Sequence, residues 1–175
     1  MSAPTRVVST VGPVLIIGSG LLGASLGLAL RAGGVRVYLE DASPTSLRLA
    51  SDVGAGVAFG DAIDEAGVAY ADAGTDAPGY EAPRIVVVAT PPDVADRVIV
   101  HSLLRFPGAI ITDVASVKDT VVADVLATLE ERGLEDAACR YVGSHPMAGR
   151  ERSGAGAADA DLFYGRPWVI VAHET

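Results

Sequence analysis

Residues 14–30, VLIIGSGLLGASLGLAL, carry no charge across 17 positions and contain glycines at 18, 20 and 23. The stretch is shorter than the roughly 20 apolar residues of a membrane span. It also lacks a clear basic n-region or small-residue cleavage site of a signal peptide. Read instead as a buried strand, a tight turn and a buried helix, it holds the pattern GxGxxG in the context that pattern requires. Gly18 permits the turn, Gly20 lets the backbone approach a pyrophosphate, and Gly23 lets the helix pack closely on the sheet. The helix start then offers free N–H groups and the positive end of its dipole. Gly18, Ser19, Gly20, Leu21, Leu22 and Gly23 are therefore candidate cofactor-binding residues. In a chain with 20 glycines, the string alone is weak support.

A second feature strengthens it. The next apolar run ends in Glu40-Asp41, and Asp41 lies 18 residues beyond Gly23. An acid about 20 residues past the glycines accepts hydrogen bonds from the adenosine ribose, and its charge repels a 2′-phosphate. NAD is expected over NADP. Asp41 equally stands where it would cap a helix starting near Ser43, and the two roles are compatible.

The rest of the chain alternates short β-branched runs with helical patterns, the signature of a parallel α/β sheet. Strands are predicted at 14–17, 35–40, 84–90, 109–114, 139–144 and 167–172, with a weaker one at 56–59. Helices are predicted after Gly20, over Ser43–Asp52 with its Ser-Pro start, over Pro92–Phe106, and over Ser116–Arg132. The last shows a stripe of Val117, Val121, Val122, Val125, Leu126 and Leu129, closed by Gly133. The expected fold is Rossmann-type: a doubly wound, mostly parallel sheet with helices on both faces. Residues 1–12 read as a loose arm, 13–175 as one dinucleotide-binding domain, and the acidic stretch 60–83 as a solvated excursion.

Charge and cysteine content narrow the function. Thirteen basic against 22 acidic residues give −9, and no basic patch forms, which argues against nucleic acid and an anionic membrane surface. The single Cys139 forms no intrachain disulfide, fits a reducing cytoplasm, and reads as a small buried strand residue. No metal-ligand spacing is present.

In an open parallel sheet, ligands bind beyond the carboxyl ends of the strands. Four predicted strands end there in polar or constrained residues: Gly18, Thr90-Pro91-Pro92, Ser116 and Ser144-His145-Pro146. The prolines would wall a flat ring, and Ser116 would N-cap a helix or face a ligand. His145, held extended by Pro146, is either a hydrogen-bonded structural histidine or a proton acceptor for a substrate hydroxyl. His101 and His173 read as solvated or structural.

Taken together, GSGLLGASLGLAL, ATPPD at 89–93, TDVASVK at 112–118 and GSHPMAGRERSGAGAADADLFYGRPWVI at 143–170 resemble the prephenate dehydrogenase family. The resemblance runs from residue 14 onward in motif order. It implies NAD-dependent oxidative decarboxylation of prephenate to 4-hydroxyphenylpyruvate in tyrosine biosynthesis. It also implies that His145 bonds the substrate's ring hydroxyl, and that Ser116 lies near that hydroxyl and the nicotinamide. Arogenate is the alternative substrate. Family members continue into a helical domain that forms the homodimer and supplies an Arg for the substrate carboxylate. That domain is not expected within these 175 residues, so the chain alone should bind cofactor but turn over poorly. Arg150 and Arg152 are the nearest cations and read as exposed. A non-catalytic NAD(H)-sensing module would share the glycine loop and Asp41. The pairing of Ser116 with His145 favours an enzyme, because a sensor needs only affinity.

Overall fold

The computed structural model describes residues 9–59, 62–63, 69–70, 81–149 and 151–171. Strands β1 (Val14–Ile17), β2 (Val37–Glu40) and β3 (Val57–Ala58) are joined through helices α1 (Leu21–Ala32) and α2 (Pro44–Asp52). Two-residue strands β4 (Ala62–Ile63) and β5 (Ala69–Tyr70) pair antiparallel with each other. Then come β6 (Ile85–Val88), α3 (Pro92–Arg105), β7 (Ile110–Asp113), α4 (Lys118–Glu131), β8 (Tyr141–Pro146) and β9 (Trp168–Val171). The main sheet has seven strands in the order β3-β2-β1-β6-β7-β8-β9. All its pairs are parallel except β8 with β9. The expected doubly wound, mostly parallel sheet is the one observed. Its order reverses between β1 and β6, where such sheets bind their ligands.

Alternate residues of each central strand serve opposite cores, which is why the strands read as continuous apolar runs. Leu15, Ile17, Val86, Val88 and Ile111 pack with Ile99, Leu103, Val121, Val125 and Leu129 of α3 and α4. Val14, Ile16, Val37, Leu39 and Val87 pack with Ala24 of α1 and Ala50 of α2. The second core also takes Ala155, from a turn at 155–157 after β8, and Asp159 N–H donates to Ser25 Oγ of α1 at 3.0 Å. The segment between β8 and β9 thus returns across the sheet to the helix that follows the glycine loop.

Local chemistry explains the helix ends. Ser43 Oγ accepts from Ser46 N–H at 3.2 Å and Pro44 opens α2, as the Ser-Pro signal predicts. Gly133, at φ 64°, follows α4. Arg140 donates to the carbonyls of Leu103 and Phe106 at 2.8 and 3.1 Å, covering acceptors left free at the end of α3.

Three expectations need correction. Cys139 is exposed, not a buried strand residue. It sits in a 3-10 turn over Glu135–Arg140 with its thiol donating to the Asp136 carbonyl, so β8 starts only at Tyr141. Pairing with β9 then carries that strand through His145 and Pro146, two residues past the predicted end. Helix α4 starts at Lys118, not Ser116, and Val117 is the exposed residue at its cap rather than part of the core stripe. The loose arm and the acidic excursion fall largely outside the described residues, as do Arg150 and His173. His101 and Arg152 are exposed, as expected.

One glycine outside the motif proves necessary. A Cβ on Gly27 would stand 2.3 Å from the Ala55 carbonyl oxygen, because α1 crosses the α2–β3 connection backbone to backbone. Gly27→Ala should destabilise the fold by about 1–3 kcal/mol, the usual cost of overpacking. Urea denaturation of the two proteins checks this.

Candidate functional site

The glycines of the loop differ in what the fold requires of them. Gly18 has φ +102°, and a Cβ there would lie 2.5 Å from the Ala89 carbonyl oxygen. A Cβ on Gly23 would lie 1.9 Å from the Gly18 carbonyl oxygen. Both are needed to bring the start of α1 onto the strand ends. Gly20 differs, since a Cβ there meets no atom of the described residues within 4 Å. The protein itself sets no steric requirement for glycine at 20. Openness in front of that backbone is what a pyrophosphate requires. Gly20 caps α1 without a side-chain bond, and the first turn, with half-buried Leu21 and Leu22, has no acidic residue. Its N–H groups are thus available to an anion. Ser19 is buried, and among the described residues neither its hydroxyl nor the buried Thr90 hydroxyl has a hydrogen-bond partner. Orphaned buried hydroxyls are uncommon in folded proteins. Two of them beside this loop fit a phosphate-bearing ligand.

Asp41 holds the loop in place. Its Oδ2 accepts from the Ser19 N–H at 2.6 Å and its Oδ1 from the Ser43 N–H at 2.8 Å. The helix-start cap expected of Asp41 falls to Ser43, and Asp41 instead ties the glycine loop to that capping residue. A carboxylate has about four lone-pair sites, so two remain for ribose hydroxyls. Neighbouring Glu40 is committed elsewhere: Arg105 of α3 donates to both its oxygens at 3.0 and 2.8 Å. Arg105 also lies over the rings of Phe59 and Phe106. The acid at the end of β2 with lone pairs to spare is Asp41.

Beyond β6, Pro91 and Pro92 are exposed and open α3. Ser116 lies in the loop between β7 and α4, exposed and outside the helix, and α4 has no side-chain cap bond. The capping explanation for Ser116 is thereby removed. His145 is half-buried near the end of β8, the strand beside β7. Parallel pairing of β1, β6, β7 and β8 sets the glycine loop, Thr90, Ser116 and His145 on the same edge of the sheet.

Beneath Ser116 lies a group that the sequence reading passed over. Asp113, wholly buried at the end of β7, pairs with Lys118, accepts from the Ala115 N–H at 2.9 Å, and accepts from the Tyr141 hydroxyl at 2.8 Å. Burial, and then the Asp113 charge and hydrogen bond, push the Tyr141 hydroxyl pKa far up. It therefore stays a donor at any working pH. The available signal was an acid ending an apolar strand with a lysine five residues on, inside TDVASVK. Among the described residues, no group of three His, Cys, Asp or Glu side chains is arranged to hold a metal ion. No described helix is long and apolar enough to cross a membrane.

A family model described as the nucleotide-binding domain of prephenate dehydrogenase matches residues 26–175. A probable prephenate dehydrogenase, NovF, of Streptomyces niveus is 40% identical over 157 residues, covering 90% of this chain and 37% of that protein. The prephenate dehydrogenase of Bacillus subtilis (strain 168) is 31% identical over 167 residues, covering 90% of this chain and 38% of the relative. The chain thus spans well under half the length of these curated relatives. The crystal structure of the Aquifex aeolicus prephenate dehydrogenase in complex with hydroxyphenyl propionate and NAD+ aligns with TM-score 0.68 and 26% identity. That alignment covers 97% of this chain and 53% of the other. Synechocystis arogenate dehydrogenase shares the fold, with TM-score 0.69 at 23% identity over 92% of this chain and 50% of its own.

The contrast among the glycines yields a direct test. Gly20→Ala should leave urea stability within about 1 kcal/mol of the parent, since its Cβ meets only open space. It should nevertheless weaken dinucleotide binding, measured by titration. Gly18→Ala should instead lower stability, by about 1–3 kcal/mol, because of its positive φ and close backbone contact.

Proposed function

This chain belongs to the prephenate dehydrogenase family, as its nucleotide-binding domain. From that premise, we propose that it forms the cofactor half of an enzyme that oxidatively decarboxylates prephenate to 4-hydroxyphenylpyruvate with NAD. We further propose that it acts in the cytoplasm, as a homodimer, with Ser116 and His145 handling the substrate's ring hydroxyl. The observation that carries the reading is the gathering of an open glycine loop, two buried hydroxyls without a partner among the described residues, Ser116 and His145 on one sheet edge.

Each residue's part follows from its chemistry. N–H groups at the start of α1 bind the pyrophosphate, and Gly20 leaves room for it. Asp41 accepts from the ribose hydroxyls with the lone pairs that Ser19 and Ser43 leave free. A 2′-phosphate would meet the same carboxylate and be repelled. NAD, when bound, supplies the acceptor for the hydride leaving the hydroxyl-bearing ring carbon. As that bond breaks, the neutral imidazole of His145 takes the hydroxyl proton. It returns the proton to the phenol oxygen as carbon dioxide departs and the ring becomes aromatic. Ser116, exposed and free of a capping role, orients the hydroxyl by hydrogen bonding. The protein's contribution is orientation and local charge, while the driving force lies in aromatisation.

Assay of the complete enzyme with NAD and either prephenate or arogenate tests the reading. Turnover of prephenate is expected, and turnover of arogenate alone would reassign the substrate. His145→Asn should lower kcat by roughly 10²–10⁴, the usual range for a general base, with NAD affinity nearly unchanged. Near-normal kcat in that variant would remove His145 from catalysis. Asp41→Ala should abolish the preference for NAD over NADP. It should also lower stability by about 1 kcal/mol, because the carboxylate accepts from the Ser19 and Ser43 N–H groups and ties the two segments together. Parallel titrations with the two cofactors, together with urea denaturation, separate these effects.

A further inference from the structure

We propose that Asp113 is a positioning residue that sets the separation between Ser116 and His145, an inference that rests on the proton-handling role proposed for that pair. Asp113 is the junction of two connections. Toward Ser116, its Oδ1 accepts from the Ala115 N–H at 2.9 Å and pairs with the Lys118 ammonium. These two partners bracket Ser116 in the chain. Toward His145, its Oδ2 accepts from the Tyr141 hydroxyl at 2.8 Å, at the first residue of β8. Its main-chain carbonyl accepts from Ser144 Oγ at 2.6 Å, on the residue directly before His145. Thr112 Oγ1 donates in turn to Ser144 Oγ at 3.2 Å.

The cluster is closely packed: the place of a Cβ on Gly143 lies 3.3 Å from Val122 Cγ2, 3.4 Å from Lys118 Cδ and 3.5 Å from the Tyr141 hydroxyl oxygen. A buried ion pair adds little stability over apolar groups of the same volume. Its hydrogen bonds are directional, however, and fix the groups that make them. Burial holds Tyr141 protonated, so the donor to Oδ2 is always present. The effect of this cluster should therefore appear in the geometry of Ser116 and His145 rather than in cofactor affinity, which is set at the glycine loop and Asp41.

Tyr141→Phe and Ser144→Ala each remove one hydroxyl on the His145 side while keeping the buried ion pair. Asp113→Asn would leave Lys118 buried without its counter-charge and is expected to fold poorly, so the two milder variants carry the test. In the complete enzyme, each should lower kcat by about 10- to 100-fold, the scale of an ångström-level misplacement, with the KM for NAD within about twofold of the parent. In 15N-labelled protein, the resonances of Ser116 and His145 should shift while those of Gly18–Gly23 stay in place. Unchanged kcat in both variants overturns the proposal. So does a loss of NAD binding equal to the loss of turnover, which a merely structural role would produce. If the parent enzyme turns over neither prephenate nor arogenate, the functional reading fails. Unmoved Ser116 and His145 resonances in both variants then overturn the positioning role independently.

Discussion

Helix α1 meets the turn that follows β1 backbone to backbone, with the place of a Gly23 Cβ only 1.9 Å from the Gly18 carbonyl oxygen. No side chain fits between them, and the rest of the site follows from that closeness. The helix start is brought to the strand ends, its unpaired N–H groups face the opening at Gly20, and Ser19 falls within reach of Asp41 at 2.6 Å. Asp41 then ties the loop to the start of α2, so one carboxylate holds both segments that a dinucleotide would touch. Gly27, one helical turn further on, repeats the same close approach against Ala55.

Features that depend on neighbours in the chain were legible from the residues. The central strands, the four helices, the glycine turn and the Ser43 cap all follow from apolar runs, helical periodicity and local hydrogen bonding. Features that depend on pairing across the sheet were not. Nothing local in CRYVGS says that β9 will extend β8 through His145, or that Cys139 will be left in a turn outside it. Val117 fits the α4 stripe by spacing, yet the turn held by Asp113 delays the helix start to Lys118 and leaves that side chain exposed.

The candidate site shows the same division. Glycines and Asp41 announce themselves by a spacing with a known physical meaning. Asp113 and Lys118 are close in the chain, but Tyr141 lies 28 residues beyond Asp113 and meets it only because β7 and β8 are adjacent. Apolar strands and amphipathic helices would build this sheet without a buried charge. Its bonds reach Ala115 and Lys118 on either side of Ser116, and Ser144 directly before His145, which is why the positioning role is proposed there. In the proposed reading, the glycine loop would hold the cofactor and this knot the groups that meet the substrate.

The central claim is that one continuous ligand site runs along the carboxyl edge, from the glycine loop to His145. Mapping amide resonance changes in the 15N-labelled protein during NAD titration tests it most directly. The account predicts saturable shifts that are largest at Ser19–Leu22 and Asp41–Ser43 and continue through Thr90 to Ser116 and His145. Shifts confined to another surface, or no saturable change up to about 1 mM NAD, a ceiling that admits even weak binding, would contradict it.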